Sequence, residues 1–137
     1  MVLQMTRVHG WQRLFSDLVQ TRRALPFVWG NHDCCLWAAD STLALTGIDF
    51  AKDLRGTYST AIEAARVLER LGGVQAIAEA ALGPSVQPSY AAIGDVVLVN
   101  SAGRSALAVC GGQAILAVSE QGLEYLPMSE AVFAWKV

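Results

Sequence analysis

The segment from Cys34 to Thr46 constrains the fold most, because it has a helical pattern without a broad polar face. Asp33 precedes it as an N-cap, and Gly47 follows it as the left-handed residue that commonly ends a helix. Its one charged residue is Asp40, and the others are apolar or small. A helix that is apolar on nearly all sides is buried over most of its surface. The sequence therefore predicts a central helix on which the other elements pack.

Three further helices are predicted before residue 84. The first has apolar residues at helical spacing and is expected to end because of Pro26. In the second, Thr60 and Glu63 form a candidate capping box, and a pair of glycines terminates the helix. The predicted helices are Trp11 to the residues before Pro26, Ala61 to Leu71, and Val74 to Leu82.

The last third of the chain has the pattern of β-strands separated by short turns. Residues 83–94 are interpreted as a loop within one domain, because the strand-rich segment after them has no core of its own. The predicted strands are Asp95 to Asn100, Ser105 to Cys110, Gln113 to Ser119, Leu123 to Leu126 and Val132 to Val137. Helices followed by an antiparallel β-meander predict an α+β fold. We expect residues 1–137 to form a single domain.

Composition excludes several classes of protein. Of the 137 residues, 53% are apolar and 16% charged, so disorder is not expected. The net charge of -2 gives no basic excess for a nucleic-acid partner. The most apolar stretch, residues 106–118, is too short for a membrane span. The high apolar fraction of the whole chain suggests a domain whose surface is partly covered in an assembly.

The N-terminal sequence lacks the pattern of a secretory signal, so synthesis and folding are expected in the cytoplasm. The three cysteines include an adjacent pair, Cys34 and Cys35, and reduced thiols are expected. A metal site built from His32 and these two cysteines lacks a known ligand spacing, and no metal or other cofactor is expected.

Residues 26–35, with the sequence PFVWGNHDCC, are the most informative segment for chemistry. Cys34 is expected in the first turn of the central helix, where free backbone N–H groups and the helix dipole stabilise an anion. The thiolate of Cys34 is therefore expected to be favoured. A cysteine hydrolase also needs a histidine within hydrogen-bond reach of the thiol.

This segment resembles the NlpC-type cell-wall peptidases, the bacterial papain-like amidases. Pro26 to Gly30 and the pair Asp33-Cys34 match their turn and catalytic-helix start, and Gly94 to Leu98 is similar to their Gly-Asp strand. The resemblance implies a papain-like NlpC-type fold with Cys34 at the nucleophile position.

The chain is still more similar to small phage and prophage proteins encoded among tail genes. The shared features are the Phe-x-Trp-Gly-x-x-Asp-Cys core, a Tyr-Ser-Thr step at residues 58–60, the Gly-Asp strand and the terminal Ala-Trp-x-Val at 134–137. This resemblance implies a virion component assembled into the tail. Its implied partners are other tail-tip or baseplate proteins, with peptidoglycan as a further candidate.

The sequence departs from the peptidase pattern where the base is expected. The histidine that opens the second strand in the peptidases corresponds to Ala106, and the turn tyrosine corresponds to Phe27. The third catalytic position falls near Ser119. Without a base, a contribution of roughly 10²- to 10⁴-fold to the rate is lost.

Each candidate residue also has a structural interpretation. Cys34 is either a reactive thiol or a buried small hydrophobe, and Cys35 and Cys110 are interpreted as core residues. His32 is the alternative base, although its default interpretation is a solvated residue in the loop. We expect His9 to be exposed and the four tryptophans to lie in the core. Asp95 is interpreted as the anchor of its strand, and Asp40 as lying on the water-accessible part of the central helix.

The sequence favours a structural function, and two alternatives remain open. We expect the chain to be a structural tail-tip or baseplate subunit with a catalytically degenerate peptidase fold. Alternatively, it is a cysteine amidase that cleaves peptidoglycan peptide stems during phage entry, with Cys34 as nucleophile and His32 as base. The third option is a transient assembly factor that binds a tail protein in the former substrate cleft.

Overall fold

The computed structural model describes residues 5–101 and 103–137. Over this range the fold is α+β, with four α-helices packed on a five-stranded antiparallel sheet. The helices are α1 (Trp11–Arg22), α2 (Cys34–Thr46), α3 (Ala61–Leu71) and α4 (Val74–Leu82). The strands are β1 (Val96–Ser101), β2 (Arg104–Cys110), β3 (Ala114–Ser119), β4 (Gly122–Pro127) and β5 (Ala131–Trp135). The turn predicted at residues 101–104 includes Ala102, which lies outside the described residues.

Local signals fix three of the helices at their predicted bounds. The Asp33 side chain accepts the Leu36 N–H at the start of α2, and Gly47 ends that helix with φ 78°. Thr60 and Glu63 form the expected capping box at the start of α3. The predictions for α2, α3 and α4 are therefore confirmed.

Helix α1 ends earlier than Pro26 alone would require. It stops at Arg22, and the next carbonyl, that of Arg23, accepts a hydrogen bond of 3.0 Å from the N–H of Leu123. The connection to Pro26 thus runs beside the start of β4 instead of continuing the helix. This bond couples residues far apart in sequence, so it has no local signal.

The sheet has the strand order β4-β3-β2-β1-β5. The first four strands form the predicted meander, while β5 returns to pair with β1 on the opposite side from β2. Helix α2 packs on one face of the sheet, with Trp37 among Val109 and Leu116. The other face is also buried, and the connection containing Val86 and the segment near Met128 cover it. Both faces of β2 are therefore inaccessible along most of its length.

Strands β2 and β3 pair over only two positions in the described structure. Val109 lies opposite Leu116, and Cys110 lies opposite Ile115. The carbonyl of Leu116 also accepts a hydrogen bond of 3.0 Å from the Trp37 indole. The part of β2 before Val109 has no strand paired on this side within residues 5–101 and 103–137. Among the described residues, no helix is long and apolar enough to cross a membrane.

Candidate functional site

Cys34 is the first residue of α2, and a buried carboxylate holds the loop that precedes it. The two oxygens of Asp33 accept hydrogen bonds from the N–H groups of Leu36 and Gly30, each at 3.0 Å. One of them also accepts a bond of 2.7 Å from the Tyr58 hydroxyl. Burial and the neighbouring Asp33 charge raise the pKa of Tyr58, so its hydroxyl stays a donor. Tyr58 belongs to the Tyr-Ser-Thr step of the motif resemblance, but no local signal in the sequence indicates that it supports this loop.

Gly30 is required where the loop passes Tyr58. Its φ is 77°, and a Cβ atom at this position would lie 2.1 Å from the Tyr58 carbonyl oxygen. Only glycine allows this close approach of two backbones. The turn before Cys34 is therefore fixed on one side by the carboxylate and on the other by backbone contact.

The thiol of Cys34 is less acidic than a free cysteine. Burial raises its pKa most, and the charge of Asp33 raises it further, whereas backbone N–H groups of Leu107, Cys35 and Cys34 lower it. The expected thiolate at the helix start is therefore wrong. The backbone N–H groups of Cys34 and Cys35 act as predicted for a helix N-terminus, and Leu107 of β2 adds a third, but desolvation outweighs them.

A groove of about 670 Å³ opens over Cys34. Its walls come from the turn before α2, the facing side of α3, the start of α4, the start of β2 and the end of β3. The lining residues are Phe27, Trp29, Cys34, Ala61, Ala65, Leu68, Gly73, Val74, Arg104, Ser105, Ala106 and Val118. We call this the Cys34 groove. Cys34 and Ala106 thus line one space, and Arg104 is the charged residue among the described lining.

His32 is buried, with 1% of its surface exposed, so its predicted solvated position is wrong. The Nη1 atom of Arg22 lies 3.4 Å from Nδ1 of His32, and the ring meets Trp37 edge to face at 6.1 Å between centroids. Because a guanidinium only donates, Nδ1 is the acceptor and Nε2 carries the proton. Nε2 is buried without a hydrogen-bond partner among the described residues. Burial and the Arg22 charge lower the pKa of His32.

A series of ion pairs links Arg22, the neighbour of His32, to α2 and to the loop after α2. Asp40 pairs with Arg22 at 2.6 Å and with Arg55 at 2.7 Å, and Arg55 also pairs with Asp49 at 2.7 Å. Arg55 lowers the pKa of Asp49, chiefly by hydrogen bonding. Asp40 is partly exposed, as predicted for the water-accessible part of α2, and it joins α1 to the loop after α2.

The other predicted residues have mainly structural positions. Cys35 and Cys110 are buried and His9 is exposed, as expected. Of the tryptophans, Trp37 and Trp135 are fully buried, whereas Trp11 and Trp29 are partly exposed. Buried Asp95 pairs with Arg7 and Lys136 and accepts the N–H of Val137, so it joins both ends of the described chain at the start of β1. The Ser119 hydroxyl donates to the Gly122 carbonyl at 2.7 Å.

The described residues contain no group of three or more His, Cys, Asp or Glu side chains that could hold a metal ion. The chemically distinctive feature of the site is thus a thiol surrounded by backbone amides at the base of an apolar groove.

Comparison with protein families identifies one match. The model of a family described as a domain of unknown function (DUF6950) matches residues 6–137, which is nearly the whole chain. No curated protein and no solved structure matches it.

Proposed function

The chain belongs to the DUF6950 family, and we propose that it is a structural component of a bacteriophage tail tip or baseplate. We further propose that its α+β domain is a papain-like NlpC-type fold that no longer catalyses. The observation that carries this proposal is the lining of the Cys34 groove. Ala106, at the position where the peptidase pattern has histidine, lines the same groove as Cys34.

The electrostatics of the thiol support a loss of catalysis. A cysteine nucleophile needs a base that takes its proton, or surroundings that lower its pKa. Cys34 has a raised pKa, and none of the groups that alter this pKa is an imidazole. The acceptor nitrogen of His32 is occupied by Arg22, which leaves no free lone pair on that ring.

An assembly role also accounts for the exposed apolar side chains. Ile62, Tyr90 and Tyr125 each expose more than 60% of their surface. They lie on α3, on the segment before β1 and on β4, and exposed apolar side chains contribute to contacts where partners dock. The proposed partners are neighbouring tail-tip or baseplate proteins, and assembly into the tail follows synthesis in the host cytoplasm.

Gene deletion in the phage or prophage that encodes the chain tests this role. Loss of the chain should give particles with defective tails and low infectivity, and mass spectrometry should detect the chain in purified wild-type particles. Complementation with a Cys34→Ser variant should restore infectivity fully, because the proposed role does not use the thiol. Normal infectivity without the chain, or absence of the chain from particles, would refute the structural role.

One observation favours a second candidate function. The N–H groups of Leu107, Cys35 and Cys34 all lie close enough to the sulfur to lower its pKa, and such donors also stabilise an oxyanion. A cysteine amidase acting on peptidoglycan peptide stems would use them with Cys34 as nucleophile. Turnover of purified muropeptides that disappears in Cys34→Ser would establish this activity. No turnover at micromolar protein would exclude it.

A further inference from the structure

The buried imidazole of His32 lies at the junction between the end of α1 and the turn before Cys34. The backbone of this turn closes through two hydrogen bonds between Val28 and His32, of 2.8 and 3.0 Å. The ring meets Arg22, the last residue of α1, through its Nδ1 atom at 3.4 Å. A change in the charge of the ring therefore acts on the contact that joins α1 to the turn.

This environment suits only the neutral form of the ring. Protonation removes the lone pair of Nδ1 that faces Arg22, so that two donors, both positively charged, then face each other. The Nε2 atom of His32 is enclosed, and no residue in the described part of the chain bonds to it. A charged ring in the closed structure would thus have neither an acceptor nor water, which is costly for a buried ion.

Charged groups of both signs face His32. Arg22 of α1 opposes a positive ring, whereas Asp40 of α2 and Asp33, the residue that caps α2, favour one. Both carboxylates are already engaged, Asp33 by the hydrogen bonds that hold the turn and Asp40 by two guanidinium groups. Burial and the Arg22 charge outweigh the two carboxylates, so the pKa of His32 lies below its ordinary value.

One side of the turn is fixed, whereas the other side can yield. The fixed side is Tyr58, because its hydroxyl bonds to Asp33 and its backbone lies against Gly30. The other side is the connection that follows α1, and residues 23–26 of this connection are all exposed. The Arg22 side chain is 25% exposed, so its guanidinium can rotate into water. Relief of the charge conflict therefore displaces the end of α1 and the connection.

We propose that the contact between His32 and Arg22 is a pH-sensitive latch, and that protonation of His32 releases residues 22–27 from the rest of the fold. The proton binds at Nδ1, the Arg22 guanidinium moves into solvent, and water reaches both ring nitrogens. In this open state His32 has the ordinary histidine pKa of about 6.5. The closed state is therefore favoured above this pH and loses stability relative to the open state as the pH falls below it. The released connection carries Phe27, so opening also displaces part of one wall of the Cys34 groove. The latch does not depend on the proposed assembly role.

Amide hydrogen exchange measured by NMR on the whole chain tests the latch. Three backbone N–H groups report on the connection, those of Leu25, Phe27 and Leu123, because each makes a bond of 3.0 Å that involves residues 22–27. Their protection factors, corrected for the intrinsic exchange rate at each pH, should fall by up to about tenfold between about pH 7.5 and pH 5.5. This limit follows because a histidine with a pKa of about 6.5 is about 90% protonated at the lower pH. The N–H of Leu36, which bonds to Asp33 on the fixed side, should keep its protection.

Variants separate His32 from other groups that titrate in acid. His32→Gln keeps an oxygen that can accept from Arg22 but does not titrate, so the three protection factors should no longer depend on pH. His9→Gln is the matched control, because His9 is exposed, and it should keep the pH dependence of the wild-type chain. Arg22→Gln removes the charge that opposes the protonated ring, so its change with pH should be smaller. This second variant tests the latch even if His32→Gln fails to fold.

Three results would overturn the proposal. One is a change of less than about twofold in the wild-type protection factors over this pH range. Another is an equal change in the wild-type chain and in His32→Gln or Arg22→Gln. The third is an equal loss of protection at the N–H of Cys110, which bonds to the Asp95 carbonyl at 2.8 Å, because the whole domain would then unfold instead of the connection alone.

Discussion

Replacing Asp33 tests whether its carboxylate holds the loop before Cys34. Loss of the helix cap, together with the hydrogen bond from Gly30, costs about 1 kcal/mol. Loss of the hydrogen bond from Tyr58 costs about 1 kcal/mol more, and the buried hydroxyl left without a partner adds about 1 kcal/mol. Asp33→Ala should therefore lower the free energy of unfolding by about 3 kcal/mol. With a urea dependence of about 2 kcal/mol per molar, the unfolding midpoint should fall by about 1.5 M.

The double-mutant cycle with Tyr58→Phe makes this reasoning specific. Tyr58→Phe alone should cost about 1 kcal/mol, because Asp33 keeps its two backbone donors. In Asp33→Ala/Tyr58→Phe no hydroxyl is left unpaired, so the total should be about 2 kcal/mol instead of the additive 4. Urea unfolding followed by tryptophan fluorescence measures all four proteins. Additive costs, or a loss below about 1 kcal/mol for Asp33→Ala, would refute the assigned role of the carboxylate.

Three further perturbations test other parts of the site. The pKa of His32 is lowered in the folded chain, so the unfolded chain takes up a proton on this histidine first as the pH falls. The free energy of unfolding should therefore decrease below the ordinary histidine pKa of about 6.5. His32→Gln should flatten the pH dependence of urea unfolding in this range, and an unchanged pH dependence would contradict the assignment. Ala106→His should supply an imidazole to the Cys34 groove, lower the pKa of the Cys34 thiol and accelerate its alkylation by iodoacetamide. An unchanged pH profile of the alkylation rate would show that a side chain at position 106 does not interact with the thiol. Gly30→Ala should destabilise the chain by more than about 2 kcal/mol in urea unfolding. Gly56→Ala should cost only about 1 to 2 kcal/mol, because Gly56 has a similar φ of 78° but open space around its Cβ position. Equal losses would argue against the close backbone contact at Gly30.

The elements with strong local signals could be predicted from sequence, and those set by distant contacts could not. Asp33, Gly47 and the capping box at Thr60 act within a few residues, so the bounds of α2 and α3 follow from their own sequence. The end of α1 depends on a bond from Leu123. The same limit applies to β5, whose pairing with β1 brings together residues about 35 positions apart.

The candidate site shows the same division. The place of Cys34 at a helix start was predictable, since it depends on the adjacent cap. The burial of His32 was not, because its environment is made by Arg22 of α1 and Trp37 of α2. The short pairing between β2 and β3 was also unpredictable. The apolar residues of β3 continue to Val118, so its sequence gives no signal that pairing with β2 stops at Leu116.

The balance of forces at Cys34 explains why a favourable helix position does not produce a reactive thiol. A helix N-terminus stabilises a negative charge by about 0.3 to 1 kcal/mol at an exposed position and by up to about 2 kcal/mol when partly buried. Burial of an ionisable group can shift its pKa by about 3 to 5 units, and each unit corresponds to about 1.4 kcal/mol. Desolvation therefore outweighs the dipole in the Cys34 groove, and the Asp33 charge acts in the same direction. A sulfur kept neutral in this way is an apolar surface, like the alanines that line the same groove.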